Sequence, residues 1–128
     1  MKKLFDKVSN STSSSVTKIY STSFSLATKM LSPAIRQDIY NIYGFVRLAD
    51  EIVDSLHQYD KEALLNRLTR DLEEALEENI SLNPILNSFQ QTVHKYNIDK
   101  DFIDAFMDSM RLDLNKSVYL SEEEYKRY

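Results

Sequence analysis

Along most of this chain, apolar residues return every three or four positions. Leu64, Leu65, Leu68, Leu72, Ala75 and Leu76 make one such stripe, the signature of one face of an α-helix. Ile85, Leu86, Phe89, Val93 and Tyr96 make a second, and Phe102, Ile103, Phe106, Met107, Met110 and Leu114 a third that is expected to face inward. Each stripe follows a residue suited to close a helix N-terminus: Asp60, then Asn83 with Pro84 at the first helical position, then Asp99. Ser32 and Pro33 announce a further helix that should run to about Leu56.

The two ends read less clearly. From about Val16 to Leu31 the pattern suits a helix, with Ile19, Phe24, Leu26 and Met30 set among small hydroxylated residues. Before it, SNSTSSS (Ser9 to Ser15) is low-complexity, so residues 1–15 are expected to be a loose serine-rich lead-in. Ser121 and Glu124 have capping-box spacing, which announces a last helix interrupted at Tyr128 after about two turns. The expectation is one all-α domain, with residues 16–128 forming its N-terminal part and the remainder lying beyond Tyr128.

One stretch departs from simple amphipathicity. In YGFVRLADEIVD, Tyr43, Arg47, Asp50 and Asp54 fall at steps of four, three and four, so they form one stripe on a helix that is apolar on nearly every other side. The stripe is either a salt-bridged detail of a core or the wall of a cavity for something charged.

Composition narrows the chemistry. The 128 residues, 42% hydrophobic and 28% charged, suffice for one domain with a core. The single glycine, Gly44, excludes glycine-rich phosphate loops and dinucleotide fingerprints, and the absence of cysteine excludes disulfides and thiolate zinc sites. A formal charge of −4 and a pI near 5.2, without a basic cluster to offset the acids, argue against nucleic acid as a partner. No apolar run approaches the ~20 residues needed to span a bilayer, and no signal-length apolar stretch follows the two lysines at the start. A cytoplasmic protein able to touch a membrane surface is expected.

Asp50 and Asp54, one turn apart, aim their oxygens at the same place. Mg²⁺ characteristically takes one or two carboxylates and shares its other positions with water and substrate phosphates, and Mn²⁺ accepts similar ligands. Arg47 offers a fork of donors suited to a phosphate, and Tyr43 adds a hydroxyl and an aromatic face. Together they suit a magnesium–diphosphate group beside an apolar wall, the metal acting as Lewis acid on the leaving diphosphate. The plain alternative is a structural ion pair, since Arg–Asp pairs one turn apart are common. Against it stands the cost of placing two carboxylates on one side of a largely apolar helix, which calls for a cation there.

The segment IYSTSFSLATKMLSPAIRQDIYNIYGFVRLADEIVD, Ile19 to Asp54, closely resembles the N-terminal part of squalene and phytoene synthases. The resemblance rests on the Tyr43–Arg47–DxxxD helix, the Ser-x-Ser-Phe at Ser21 to Phe24, and a Leu-Pro-like helix break before it. A looser, collinear likeness continues to about Tyr119. The R-x-x-D-x-x-x-D spacing fits this family better than chain-elongating prenyltransferases, whose motif is usually Asp-Asp-x-x-Asp without the arginine.

The resemblance implies an isoprenoid-synthase-type helical bundle and a Mg²⁺-dependent head-to-head condensation of two prenyl diphosphates through a cyclopropyl intermediate. By that likeness, Asp50 and Asp54 would bind the metal, with Arg47, Ser21 and Ser23 on the diphosphate. Phe24 and Tyr43 would line the reaction cavity, where aromatic faces steady a carbocation. Glu51, where many relatives carry a second aspartate, and Asp113, at a position often acidic in the family, are further candidates. Small Thr28, one turn past Phe24, favours phytoene from geranylgeranyl diphosphate over squalene or dehydrosqualene from farnesyl diphosphate. The family's second aspartate-rich helix has no counterpart after Asp54, so these residues are expected to be inactive alone. Two other readings compete: a non-catalytic helical assembly protein of the same fold, and another diphosphate-ionising α-helical enzyme such as a terpene cyclase.

Overall fold

Phe45 is the residue around which the helices gather. Buried in the middle of α3 (Pro33–Asp54), it stacks on Phe89 of α5 (Pro84–Tyr96), with ring centroids 4.2 Å apart and planes 13° from parallel. Phe106 of α6 (Lys100–Arg127) meets the same ring at 5.6 Å. Leu65, Leu68, Leu72 and Ala75 of α4 (Lys61–Glu78) complete this core with Ala49, Ile52, Val53, Leu86, Val93, Ile103, Met107 and Leu114. Each large side chain hidden this way contributes roughly 1.5–3 kcal/mol by leaving water. Two further helices, α1 (Lys2–Tyr20) and α2 (Thr22–Lys29), precede these.

This computed structural model describes the backbone of residues 2–127 and the side chains of residues 2–116. Among the described residues there are six helices and no strand, so the fold is all-α as expected. The caps read from sequence form as hydrogen bonds. Ser32 Oγ accepts from the Ala34 amide, Asp60 from Ala63, Asn83 from Ile85 and Leu86, and Asp99 from Asp101. Asn79 and Asn97 take left-handed φ values of 61° and 51° and end α4 and α5, a role glycine often fills.

The N-terminus differs from expectation. Residues 2–15 are not loose: they form most of α1, and Ser9, Ser13 and Thr17 are completely buried. Nor is residues 16–31 one helix, because the chain breaks at Ser21, whose Oγ caps α2 by accepting from the Phe24 amide. Apolar residues of that pattern point outward, with Ile19 78% and Met30 88% exposed. Small hydroxyls pack instead, because they let backbones approach closely and find polar partners in the neighbouring helices. Ser13 Oγ lies 2.5 Å from Ser88 Oγ, and Asn87 Nδ2 donates to Asp6 and to Ser9 Oγ. Asn41 Nδ2 donates to Asn10 Oδ1 and Thr92 Oγ1. The chain's one glycine sits here for a steric reason: a Cβ on Gly44 would lie 2.9 Å from Ser13 Oγ and 3.4 Å from Ser13 Cα.

Two smaller differences follow the same logic. Phe102, expected inside, is 74% exposed, because Ile103, Phe106 and Met107 define the buried arc of α6. Ser121 and Glu124 open no separate helix: no glycine or proline interrupts residues 111–120, and the α6 backbone continues to Arg127. The side chains of those two residues lie outside the described region.

Candidate functional site

The stripe occupies the C-terminal half of α3, on a side that the core leaves free. Tyr43, Arg47, Asp50 and Glu51 are half-buried, while Asp54, the last residue of the helix, is exposed. The last turn of α3 contains no basic residue. Acids at a helix C-terminus oppose the helix dipole, so this clustering raises local negative potential and gains nothing in helix stability. The terminal carbonyls are relieved from elsewhere: Lys61 Nζ donates to the Val53 carbonyl at 2.7 Å.

Asp50 records the strain. Burial pushes its carboxyl above the ordinary value, and the charges of Asp54 and Asp113 push the same way, while Arg47 works against them. Asp113, on α6, is thus close enough for its charge to reach Asp50, and the two helices pack together. Among the described residues, no group of three or more acids, histidines or cysteines is gathered tightly enough to hold a metal alone. The donor chemistry nevertheless fits Mg²⁺: two hard carboxylates on one helix, short of positive charge, leave most coordination positions for water and phosphate oxygens.

Arg47 is held from two sides. Its Nη2 donates to Glu51 Oε2 at 2.5 Å, and its guanidinium lies 4.7 Å from the centroid of the Tyr20 ring. Burial opposes its charge, but the Glu51 hydrogen bond and the negative charges of Glu51 and Asp50 more than offset this. Its Nε is buried without a hydrogen-bond partner, so part of the donor fork is unspent. Glu51 is therefore engaged by Arg47.

The break at Ser21 brings α2 against α3. Phe24 stacks on Tyr43, with centroids 4.8 Å apart and planes 24° from parallel, and Thr28 Oγ1 donates to the Phe24 carbonyl. Ser21 Oγ already accepts from the Phe24 amide, which leaves its hydroxyl proton available to an anion. Ser23 is exposed in the first turn of α2. The sequence pattern singled out no role for Tyr20 and so missed its place beneath Arg47. The signal available was the serine after it, which can end one helix and cap the next.

Comparison with known proteins decides the family. The family model described as squalene/phytoene synthase matches residues 17–128. The chain belongs to the squalene/phytoene synthase family. Phytoene synthase 2, chloroplastic, of Oryza sativa subsp. japonica is 32% identical over 110 residues, covering 85% of this chain and 27% of the relative. Phytoene synthase 2 of Zea mays is 31% identical with the same coverage, and Zea mays phytoene synthase 3 is 31% identical over 114 residues, 88% of this chain and 26% of the relative. The chain thus spans about a quarter of the length of these relatives. No solved structure gives a significant match. The family match begins at Thr17, so it covers the whole of the Ser21–Asp54 site and leaves most of α1 outside.

Proposed function

We propose that this sequence supplies one wall of the active site of a Mg²⁺-dependent prenyltransferase that condenses two prenyl diphosphates head to head in carotenoid biosynthesis. The reading prefers phytoene formed from geranylgeranyl diphosphate, with squalene or dehydrosqualene from farnesyl diphosphate next. The supporting observation is the pair Asp50 and Asp54 at the end of α3, beside an arginine with an unspent buried Nε.

In this reading Asp50 and Asp54 hold Mg²⁺, for which Mn²⁺ can substitute, and the metal when bound neutralises charge developing on a departing diphosphate. Arg47 holds diphosphate oxygens, and Tyr20 beneath it limits the guanidinium to one plane. Ser21, the cap of α2, and exposed Ser23, two residues on, donate hydroxyls to the same anion. The Phe24–Tyr43 stack gives the prenyl chain an aromatic wall, whose faces attract positive charge. Glu51 exchanges its place on Arg47 with the incoming diphosphate.

Incubating the full-length protein with geranylgeranyl or farnesyl diphosphate and Mg²⁺ should release a condensed C40 or C30 hydrocarbon. Residues 1–128 alone should bind diphosphate without turnover. If the full-length protein converts neither substrate, the enzyme reading is lost. The Arg47–Glu51 pair, already closed, would then favour the second reading, a non-catalytic helical assembly protein of the same fold.

A further inference from the structure

α1 and α3 run side by side in the same direction. Asn10 Oδ1 accepts from Asn41 Nδ2, and the Asn10 carbonyl accepts from Gln37 Nε2 at 2.9 Å. One turn on, Ser13 packs against Gly44, where an added Cβ would meet its Oγ. The last turn of α1 brings the Tyr20 ring under Arg47, its centroid 4.7 Å from the guanidinium carbon. These contacts advance together along both helices, so a shift of α1 on α3 is carried to Arg47. None of them depends on a face being free.

The seat of α1 is made of hydroxyls and amides. Thr17 Oγ1 donates to the Ser13 carbonyl, the Ser13 and Ser88 hydroxyls share a hydrogen bond, and Asn41 also donates to Thr92. A buried polar network whose members are all satisfied rigidifies what it joins and specifies one arrangement. Buried Thr17 stands one turn before Tyr20, and the Ser21 amide still donates to the Thr17 carbonyl at 2.9 Å. Only at Ser21 does the chain turn extended, with φ −147° and ψ 93°, so the helix keeps its form up to the ring. Arg47 needs such a support. An arginine side chain carries about 2 kcal/mol of rotamer entropy, and two acids, Asp50 and Glu51, lie within one turn of this one. The Tyr20 ring closes one face of the guanidinium, Glu51 takes Nη2, and Nε is left without a partner.

We infer that α1 aims Arg47: Tyr20 is the positioning residue for the anion-binding guanidinium, and the hydroxyl seam of α1 fixes where Tyr20 stands. The inference rests on the reading of Arg47 as a diphosphate ligand and adds the element that sets its affinity. Tyr20 acts through its ring, by holding the cation over its face, and its hydroxyl is not needed.

The test is calorimetric titration of the full-length protein with inorganic diphosphate in the presence of Mg²⁺. Tyr20→Phe keeps the ring and should bind as tightly as wild type. Tyr20→Leu removes the π-face and should bind about two- to fivefold more weakly, the size expected of a cation–π contact at a partly exposed site. Tyr20 lies outside the core, so both variants should fold as wild type does. Ser13→Val, two turns before Tyr20, crowds Gly44 and breaks the bond to Ser88. It should weaken binding by no more than Tyr20→Leu does, and add nothing in a Tyr20→Leu background, since residues that act through one another are not additive. If circular dichroism shows Ser13→Val unfolded, the two Tyr20 variants decide. Equal binding by Tyr20→Leu and wild type overturns the inference and leaves the function reading intact. So does a loss in Tyr20→Phe as large as in Tyr20→Leu, which would make the phenol itself a ligand, or a Ser13→Val loss that persists undiminished without Tyr20. If wild type does not bind diphosphate with Mg²⁺, the function reading falls and the inference falls with it.

Discussion

Asp50 has to be a carboxylate in a place that resists one. Its folded-state pKa is raised by burial and by two neighbouring acids, so folding favours its protonated form. That contribution is complete below the ordinary aspartate value and is lost as pH rises through the raised value, leaving the ionised group a net cost near neutrality. Asp50→Asn should therefore make the metal-free protein more stable than wild type at pH 7. The advantage should shrink to nothing as pH falls below about 3.9, where the aspartate is protonated in both states. Urea midpoints at the two pH values measure this, and a variant less stable at pH 7 would contradict it. Mg²⁺ should stabilise wild type and not the variant, because only a native state that binds the ion gains from it. In the full-length protein, turnover should fall at least about a hundredfold, in line with losses seen on disturbing metal sites. Asp38 shows the opposite design in the same helix. Burial pushes it up, but hydrogen bonds from Lys95, Tyr96 and Thr92, with the Lys95 charge, hold it below its ordinary value. That acid is paired within the fold, whereas Asp50 is pushed the other way by burial and neighbouring acids.

Helices α3 to α6 were legible in the sequence because each buries a regular apolar stripe behind a recognisable cap. α1 was not, for a physical reason. Periodicity reads apolar residues, and α1 buries hydroxyls, whose side chains carry no such signal. Gly44 held the missing clue, since a lone glycine in the middle of a helix usually marks a close approach. Gly44→Ala tests that seam. Helix propensity alone would favour alanine by about 1 kcal/mol, but overpacking against Ser13 typically costs about 1–3 kcal/mol, and here the crowded Oγ is buried and held by Ser88. The expected outcome is a net loss of roughly 1–2 kcal/mol and a thermal midpoint several degrees lower. An unchanged or higher midpoint would mean that α1 is not seated on α3 as described.

At the scale of the molecule, a helical scaffold sets one functional edge and keeps its core elsewhere. The stripe Tyr43–Arg47–Asp50–Asp54 could be placed on one helix face from spacing alone. Its partners could not, because Tyr20, Phe24 and Asp113 reach it only through the break at Ser21 and the return of α6. Glu51 was legible as an acid of the motif but not as the partner of Arg47, since several acids lie within one turn of that arginine. The most direct measurement of what this edge does is calorimetric titration with inorganic diphosphate, with and without Mg²⁺. Wild type should bind only when Mg²⁺ is present, and Arg47→Lys should bind about tenfold more weakly, because a point charge replaces a planar fork. Equal binding without Mg²⁺, or unchanged affinity in Arg47→Lys, would contradict the account.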